Sequence, residues 1–523
     1  MNMINTVTAR VSFDSPQEEI TYLKLQVNEL KAKVNWYEEQ FRLSKQREFG
    51  RSSEKSLPEQ LGIFNEAEVE SKPDAPEKAT IEVSYTRRKG KETKEEKLRN
   101  HPIKTIEYRL SEEEQVCSCC GGALHEMSKQ ERVEVEYVPP VITGIKHVQY
   151  IYACRNCEKN GIKTPIVTAP APKPAIPNSI ASPSMIACVM NQKFVMGLPL
   201  YRQEQDFKRQ GISISRQTMA NWMVQASDRW LKQLYERMRE HLLAKDILHA
   251  DETTLQVLHE PDRKAESTSY MWLYRTGRDG PPIILYDYQT TRSGKHPAKF
   301  LKEFKGYLHT DGYGGYNDLP NITPVGCWAH ARRKFDEALK ALPASQKNTP
   351  TVAGEGLDFC NKLFAIEREL QDVTPEERYQ KRIEHSRPVL DAFRDWLKYQ
   401  TPRVLPKSAL GQAIQYCRNQ WDKLEGFMKD GRLEIDNNRS ERSIKPFVIG
   451  RKNWLFANTA KGAGASATIY SVVETAKENG LNPFEYLKFL FEKMPNMDLG
   501  DKQAFDEILP WSKILPKFCK AKN

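Results

Sequence analysis

Three groups of carboxylates in this 523-residue chain have the surroundings that a divalent cation needs. Asp251 and Glu252 interrupt an apolar, β-branched stretch, Asp246 to Leu258, that reads as a strand entering a sheet, and a carboxylate inside a core strand must have a partner. Asp311 ends a second strand candidate, Gly306 to Thr310, although Asp-Gly is also ordinary turn chemistry, as at Asp279-Gly280 and Asp430-Gly431. The third group holds Glu434, Asp436 and Glu441 and is followed by Arg442, Lys445, Arg451, Lys452 and Trp454. Anions to hold Mg²⁺ beside cations and rings to hold nucleic acid are what a metal-dependent phosphodiester enzyme requires. Any of the last three acids could be the third ligand. Reach favours Glu441: one turn into a helix, its longer side chain extends toward a metal held by two strands. Its structural alternative is a capping-box acid reaching back to Asn438, and Asp436 could be turn chemistry.

A second chemistry is written in cysteines. Cys117 and Cys120 form one Cys-x-x-Cys pair, Cys154 and Cys157 another, and four thiolates from two tight turns close a tetrahedral site for one structural Zn²⁺. The β-rich stretches Val133 to Val138 and Val148 to Tyr152 suit a zinc ribbon; the alternative is two unrelated pairs of buried cysteines. Cys119, inside the first turn, could replace a neighbour, but the three-residue offset makes 117 and 120 the better pair. Cys327 and His330 could be half of a further metal site; without two more ligands nearby they read as packing or hydrogen-bonding residues.

These groups need several elements to position them, and the length implies three or more folded units. Ile20, Leu23, Val27, Leu30, Val34, Tyr37 and Phe41 recur at alternating spacings of three and four, a heptad seam started by Ser15, Pro16 and Glu18. β-branched residues at a, Leu at d, and Glu19 facing Lys24 and Lys33 facing Glu38 of a partner favour a parallel dimer; packing within the same chain is the alternative. Residues 15–48 are thus a coiled coil, 49–100 a charged linker, 101–163 the zinc ribbon, and 164–183, with six prolines, a stiff extended connector. In 184–243, helices at Leu200 to Arg209 and from Arg216 onward flank a turn containing Gly211. That is helix-turn-helix spacing, with Met219, Trp222, Met223, Ala226 and Trp230 inward and Arg216, Gln217 and Asn221 outward toward DNA. Strands follow at Tyr270 to Thr276 and Pro282 to Tyr288, then a helix near Pro297 to Phe304, which suits a mixed sheet carrying Asp251 and Asp311 on neighbouring strands. The catalytic core is expected over 244–335 and 431–495, split by a charged helical insertion at 336–430, with a tail at 496–523. The fold class is multidomain α+β.

The surplus of Lys+Arg 79 over Asp+Glu 69 leans mildly toward a polyanionic partner. No run is apolar enough for a membrane span and the first ten residues lack a signal-peptide core, so a cytoplasmic protein with no membrane partner is expected.

Several stretches resemble, nearly end to end, the insertion sequence 66 family of bacterial transposases. They include Phe49-Gly50-Arg51-Ser52-Ser53-Glu54-Lys55, both cysteine pairs, Leu198 to Glu204, Ala250 to Thr253, Asp311-Gly312-Tyr313 with Gly315-Tyr316, and Gly326 to Lys334 with Arg332 and Arg333. Asp436-Asn437-Asn438 with Glu441-Arg442, Gly450 to Trp454, and Leu509-Pro510-Trp511 complete the set. The resemblance implies an RNase H-like catalytic domain with Asp251, Asp311 and Glu441 as a triad binding two Mg²⁺. Cys327 and His330 look like the Cys-x-x-His element of related transposases. It further implies a nucleoid-associated enzyme that hydrolyses the phosphodiester at each transposon end and joins the freed 3′-OH to target DNA. A homodimer or higher synaptic assembly would act on terminal repeats, possible accessory proteins coming from the same element. The alternatives are a non-catalytic, transposase-derived DNA-binding protein and a nuclease of the same fold that cuts without joining.

Overall fold

The computed structural model describes residues 141–153, 159–160, 166–343 and 350–521, with Thr105 and a set of helical positions between Pro16 and Glu38. Cys117, Cys119, Cys120, Cys154 and Cys157, the strand expected at Val133 to Val138, Phe41 and the linker lie outside the described residues. In the smaller of two compact units, which spans Glu54–Ala169, β1 (Ile151–Ala153) pairs antiparallel with β2 (Ile166–Thr168), Tyr152 opposite Val167.

The larger unit includes Pro170–Ala521. Its first helix, α1 (Pro183–Phe194), starts where Ser182 accepts the Met185 N–H and Pro183 presets the first turn. α2 (Leu200–Arg209) and α3 (Arg216–Ala226) follow the expected bounds, with Gly211 at φ 87° in the turn and Ser215 capping Thr218 N. A π-helical turn, Ser227–Leu231, leads into α4 (Lys232–Leu243). These helices were expected to form a domain of their own behind an extended connector. Instead Met219, Trp222, Leu234 and Met238 share one apolar core with the sheet and the C-terminal helices. The connector joins it too: Ala175 and Ile176 are buried, and the Trp230 indole donates to Ala175 O at 2.8 Å. Apolar residues between the prolines drive this docking.

Five strands form the main sheet in the order β5 (Ile284–Gln289), β4 (Thr268–Thr276), β3 (Ile247–His259), β6 (Gly306–His309), β7 (Ile322–Val325), and the short β8 (Ala457–Thr459) pairs with the far end of β3. The first three strands are antiparallel; β6 and β7 continue parallel. Met271, Trp272, Leu273 and Tyr274 of β4 are all fully buried, the signature of a strand covered on both faces. At the start of β6, Gly306 sits at φ 146°, where a Cβ would lie 2.2 Å from Asp246 O, so only glycine lets β6 close onto β3. The edge strand β5 is sealed by α12, defined as Ala460–Glu478: Ser471 Oγ takes the Tyr286 N–H and Thr475 Oγ1 the Ile284 N–H. A sheet edge is thereby satisfied by hydroxyls of a packed helix.

Between the sheet and the helix that carries Glu441, the chain builds α6 (Trp328–Ala341), α7 (Val352–Glu369), α8 (Pro375–Lys381), α9 (Arg387–Gln400) and α10 (Ala409–Asn419); α5 (Lys295–Phe300) precedes β6. The insertion expected from residue 336 therefore cuts through the middle of α6. These helices have their own core around Trp328, Phe335, Phe393 and Trp421. Arg382, fully buried, donates to both Glu367 oxygens and to the carbonyls of Phe427, Asp430 and Leu433, which fixes the turns leading into α11 (Asn438–Trp454). The expected C-terminal tail is folded rather than appended: α13 (Pro483–Lys493) and α14 (Lys502–Ile508) are followed by buried Leu509, Leu515 and Cys519 in the main core.

Candidate active site

Strand pairing aligns the first two acids. His249 is opposite His309 in the parallel β3–β6 ladder; two residues further along each chain come Asp251, still within β3, and Asp311, just past the end of β6, close enough for the Asp311 charge to act on Asp251. Asp251 Oδ1 accepts its neighbour's N–H (Glu252, 2.8 Å) and Asp311 Oδ1 that of Tyr313 (2.9 Å), so one oxygen of each is taken by local backbone. Burial pushes the Asp251 carboxyl well above the usual range, and the negative charges of Glu252, Asp311 and Glu441 push it further. Asp251 thus feels the charge of both other expected acids.

Glu252 is a different kind of acid. Its side chain is 1% exposed, and both oxygens are occupied: Arg292 donates to Oε1 at 2.5 and 2.8 Å, Tyr316 to Oε2 at 2.6 Å. The Arg292 guanidinium in turn lies 3.9 Å from the Tyr313 ring centroid. Nothing in the local sequence singles out Arg292, whereas Tyr313 and Tyr316 lie in a stretch already marked by its motif.

The third cluster separates cleanly. Glu434 is gripped by Arg278 (2.6 Å) and by Arg439 (2.9 and 3.1 Å). Burial opposes the Glu434 charge, but the Arg439 hydrogen bonds and the surrounding positive charge outweigh it and hold the carboxyl well below the usual range. Asp436 accepts Asn438 N (3.1 Å) and Asn438 Nδ2 (2.7 Å), the turn chemistry considered for it. Glu441 makes neither contact. The helix cap is Asn437, which puts Glu441 a position beyond the capping-box site, and its Oε1 is buried without a hydrogen-bond partner. His330 Nδ1 and Arg333 Nη2 each lie 3.7 Å from its oxygens.

Beneath this edge, His249 and His309 stack face to face at 4.3 Å, both fully buried, and burial brings His249 down to about 4. His249 Nδ1 meets Asn437 Oδ1 at 2.9 Å, Asn437 Nδ2 donates to Ala250 O, and Asn437 N donates to Cys327 Sγ at 3.2 Å. A single asparagine so fastens β3, the start of α6 and the start of α11. Arg275 of β4 adds a second tie, donating to both Glu478 oxygens and to Ser443 Oγ. Burial raises the Cys327 thiol to about 12, so it stays protonated.

The expected DNA-facing residues divide. Arg216, Gln217 and Asn221 are exposed on α3, and Arg332, Arg442 and Lys452 are exposed around the α6 and α11 ends. Arg333 and Lys445 are half-buried, and Arg451 donates to Thr254 Oγ1 at 3.0 Å. Trp454 packs edge-on against Phe447 at 5.6 Å, a core contact rather than a free platform.

Comparison with known proteins gives the geometry a lineage. Residues 178–465 match the family described as "Transposase IS66 family". The chain belongs to that family. Residues 114–158, which hold all four paired cysteines, match "zinc-finger binding domain of transposase IS66", residues 471–511 the "IS66 C-terminal element", and residues 36–103 "Transposase C of IS166 homeodomain". Relatives in Sinorhizobium fredii include the uncharacterized protein y4jD, 31% identical over 417 residues, covering 77% of this chain and 79% of the relative. The uncharacterized protein y4hP is 30% identical over 414 residues, 76% of this chain and 73% of the relative. This IS66 family chain therefore carries a DDE transposase domain and a zinc-finger domain. Among the described residues, no helix is long and apolar enough to cross a membrane.

Proposed function

We propose that this IS66 family member is a metal-dependent DNA strand-cleaving and strand-joining enzyme with Asp251, Asp311 and Glu441 as its catalytic carboxylates. The observation that carries the reading is that the charges of both Asp311 and Glu441 act on buried Asp251, and that Glu441 Oε1 is left without a hydrogen-bond partner, while the oxygens of Glu252, Glu434 and Asp436 are engaged otherwise. The strand order, antiparallel β5-β4-β3 continuing into parallel β6 and β7, supports an RNase H-like core.

The residues fit divalent cations of the Mg²⁺ class: the donors are hard oxygens, and the carboxylates repel one another unless a positive charge stands between them. Bound there, two Mg²⁺ supply activation of the attacking oxygen and stabilisation of the leaving one. The protein's own part is positional. Asp251 is held in β3, Asp311 in the turn that follows β6, fixed by the Tyr313 N–H and the Tyr416 hydroxyl, and Glu441 is presented from α11, whose start is tied down by Asn437, Arg275 and Arg439. Arg332, Arg442 and Lys452 supply exposed positive charge on the rim, and Arg216, Gln217 and Asn221 a polar helix face for DNA.

The domains at 15–48 and 101–163 serve assembly and end recognition in this reading. Ile20, Leu23, Val27, Leu30, Val34 and Tyr37 are between 47% and 67% exposed along helical positions, an apolar ridge that a second copy would cover as a coiled coil. One Zn²⁺ held by Cys117, Cys120, Cys154 and Cys157 would close the ribbon.

The test is incubation of the full chain with the DNA that flanks its own gene and Mg²⁺. Nicked ends and joined products are expected; binding without nicks would leave a DNA-binding protein only, and nicks without joined products a nuclease.

A further inference from the structure

The Cys-x-x-His element is not absorbed by the carboxylate triad, yet it lies against it. Cys327 Sγ, a ring nitrogen of His330 and a Glu441 oxygen lie within 4.8 Å of one another. The three donors are not equivalent. Cys327 is fully buried and its sulfur already accepts the Asn437 N–H, so it joins the start of α6 to the start of α11. Trp328 N donates to Ile435 O at 3.1 Å and reinforces the joint. His330, one turn into α6, is thereby held at a fixed distance from Glu441.

That distance is informative. At 3.7 Å, His330 Nδ1 and Glu441 Oε1 are too far apart to hydrogen-bond, and both atoms are buried without any partner. Facing, desolvated and unpaired polar atoms need something between them. Two donors on one cation, each about 2.1 Å from it, lie roughly 3.0 Å apart at right angles and about 4.2 Å apart across the ion. The observed gap falls inside that interval. Arg333 supplies positive charge at the other Glu441 oxygen, also at 3.7 Å.

We propose that His330 is a ligand, through Nδ1, of the cation that Glu441 holds, so that this site presents an imidazole nitrogen beside its carboxylate oxygens. This rests on the metal-dependent reading above. A nitrogen donor shifts preference from Mg²⁺ toward Mn²⁺, because imidazole suits the later transition ions better than Mg²⁺.

The test uses the full chain with Mn²⁺ added below one equivalent and read by pulsed electron paramagnetic resonance, which reports a coordinated imidazole through its ¹⁴N coupling. The wild-type protein is expected to give that coupling. His330→Gln should lose it while still binding Mn²⁺ with at least about tenfold weaker affinity, as expected for a perturbed ligand set. Thermal melting of the same variant checks that it is folded. Bound Mn²⁺ without ¹⁴N coupling, or coupling that persists in His330→Gln, overturns the assignment while leaving the carboxylate site standing. Coupling lost only because the variant is unfolded is resolved by His330→Asn, which must reproduce the loss in folded protein or the assignment falls. If wild-type protein binds no Mn²⁺ in a manner abolished by Glu441→Gln, the metal-dependent reading itself fails.

Discussion

Tyr416 donates its phenolic hydroxyl to the backbone carbonyl of Asp311 at 2.9 Å, so a residue of the helical insertion holds the turn that carries a candidate catalytic acid. Gln420 reaches Gly312 O at 3.5 Å and Lys423 reaches Asn317 Oδ1 at 2.6 Å, extending the grip along the same loop. Read from sequence, 336–430 is a charged insertion without a part in the site; folded, it is the outer wall of the site. Tyr416→Phe keeps the ring and removes only the donor, which should cost about 1 kcal/mol of loop order. DNA nicking is expected to fall roughly tenfold with the melting temperature shifted by a few degrees at most. Unchanged nicking rates would mean that the Asp311 turn is held well enough by its own Tyr313 N–H contact.

Glu434 offers a stability prediction with a definite sign. Its folded pKa is held below the unfolded carboxylate value of about 4.3, so its contribution is fully present above that value and is lost as pH falls toward the folded pKa. Glu434→Gln leaves Arg278 and Arg439 without their carboxylate and should destabilise by roughly 3 kcal/mol at neutral pH. In denaturant titrations the gap between the two proteins should narrow steadily below about pH 4. A gap that stays constant down to pH 2 would place the effect in packing instead of charge.

The apolar ridge on the N-terminal helix predicts self-association. Leu23→Lys with Leu30→Lys places charge in the seam of a coiled coil and is expected to convert dimers to monomers in sedimentation. The same assembly before and after would mean that another surface joins the copies.

Zinc content is a separate matter, tested by metal analysis of the zinc-finger domain's proposed four-thiolate site. One tightly bound Zn²⁺ per chain is expected in protein prepared without chelator, and Cys154→Ser should lower it. Metal analysis that finds none would remove the ribbon from the reading.

Much of the core was legible because its signals are local. The strand candidate Asp246 to Leu258 has an apolar, β-branched character around Asp251, and Ser215 caps the helix that begins at Arg216, as its side chain accepting Thr218 N shows. What was not legible is long-range. Arg292 lies 40 residues from Glu252, Tyr416 lies 105 from Asp311, and Asn437 lies 188 from His249; no spacing rule connects such pairs. The docking of the proline-rich connector was missed for a related reason: prolines forbid regular structure, but they do not prevent Ala175 and Ile176 from being buried by a neighbour. The C-terminal residues read as a tail, yet Phe505, Ile508, Leu509, Leu515 and Cys519 are buried, while Ile514 and Phe518 stay exposed.

The choice among Glu434, Asp436 and Glu441 now turns on their contacts, and it predicts a crossing. Without metal, Glu441 adds to the negative charge that pushes Asp251 upward, and its buried Oε1 satisfies nothing. Glu441→Gln should therefore melt at or slightly above the wild-type temperature in metal-free buffer, the change amounting to no more than about 0.5 kcal/mol. In excess Mg²⁺ the order should invert, because the wild-type protein gains stability from binding the ion and the variant gains less. Nicking by the variant is expected to fall on the order of a thousandfold or more, as loss of a metal ligand produces. Asp436→Asn is the matched control: it weakens the turn at Asn438, so it should lower melting equally with and without Mg²⁺ while leaving most nicking activity in place. Near-normal nicking by Glu441→Gln together with an inactive Asp436→Asn would transfer the third ligand to Asp436. A variant at 441 that melts lower than wild type in both buffers would return Glu441 to a structural role in the first turn of its helix.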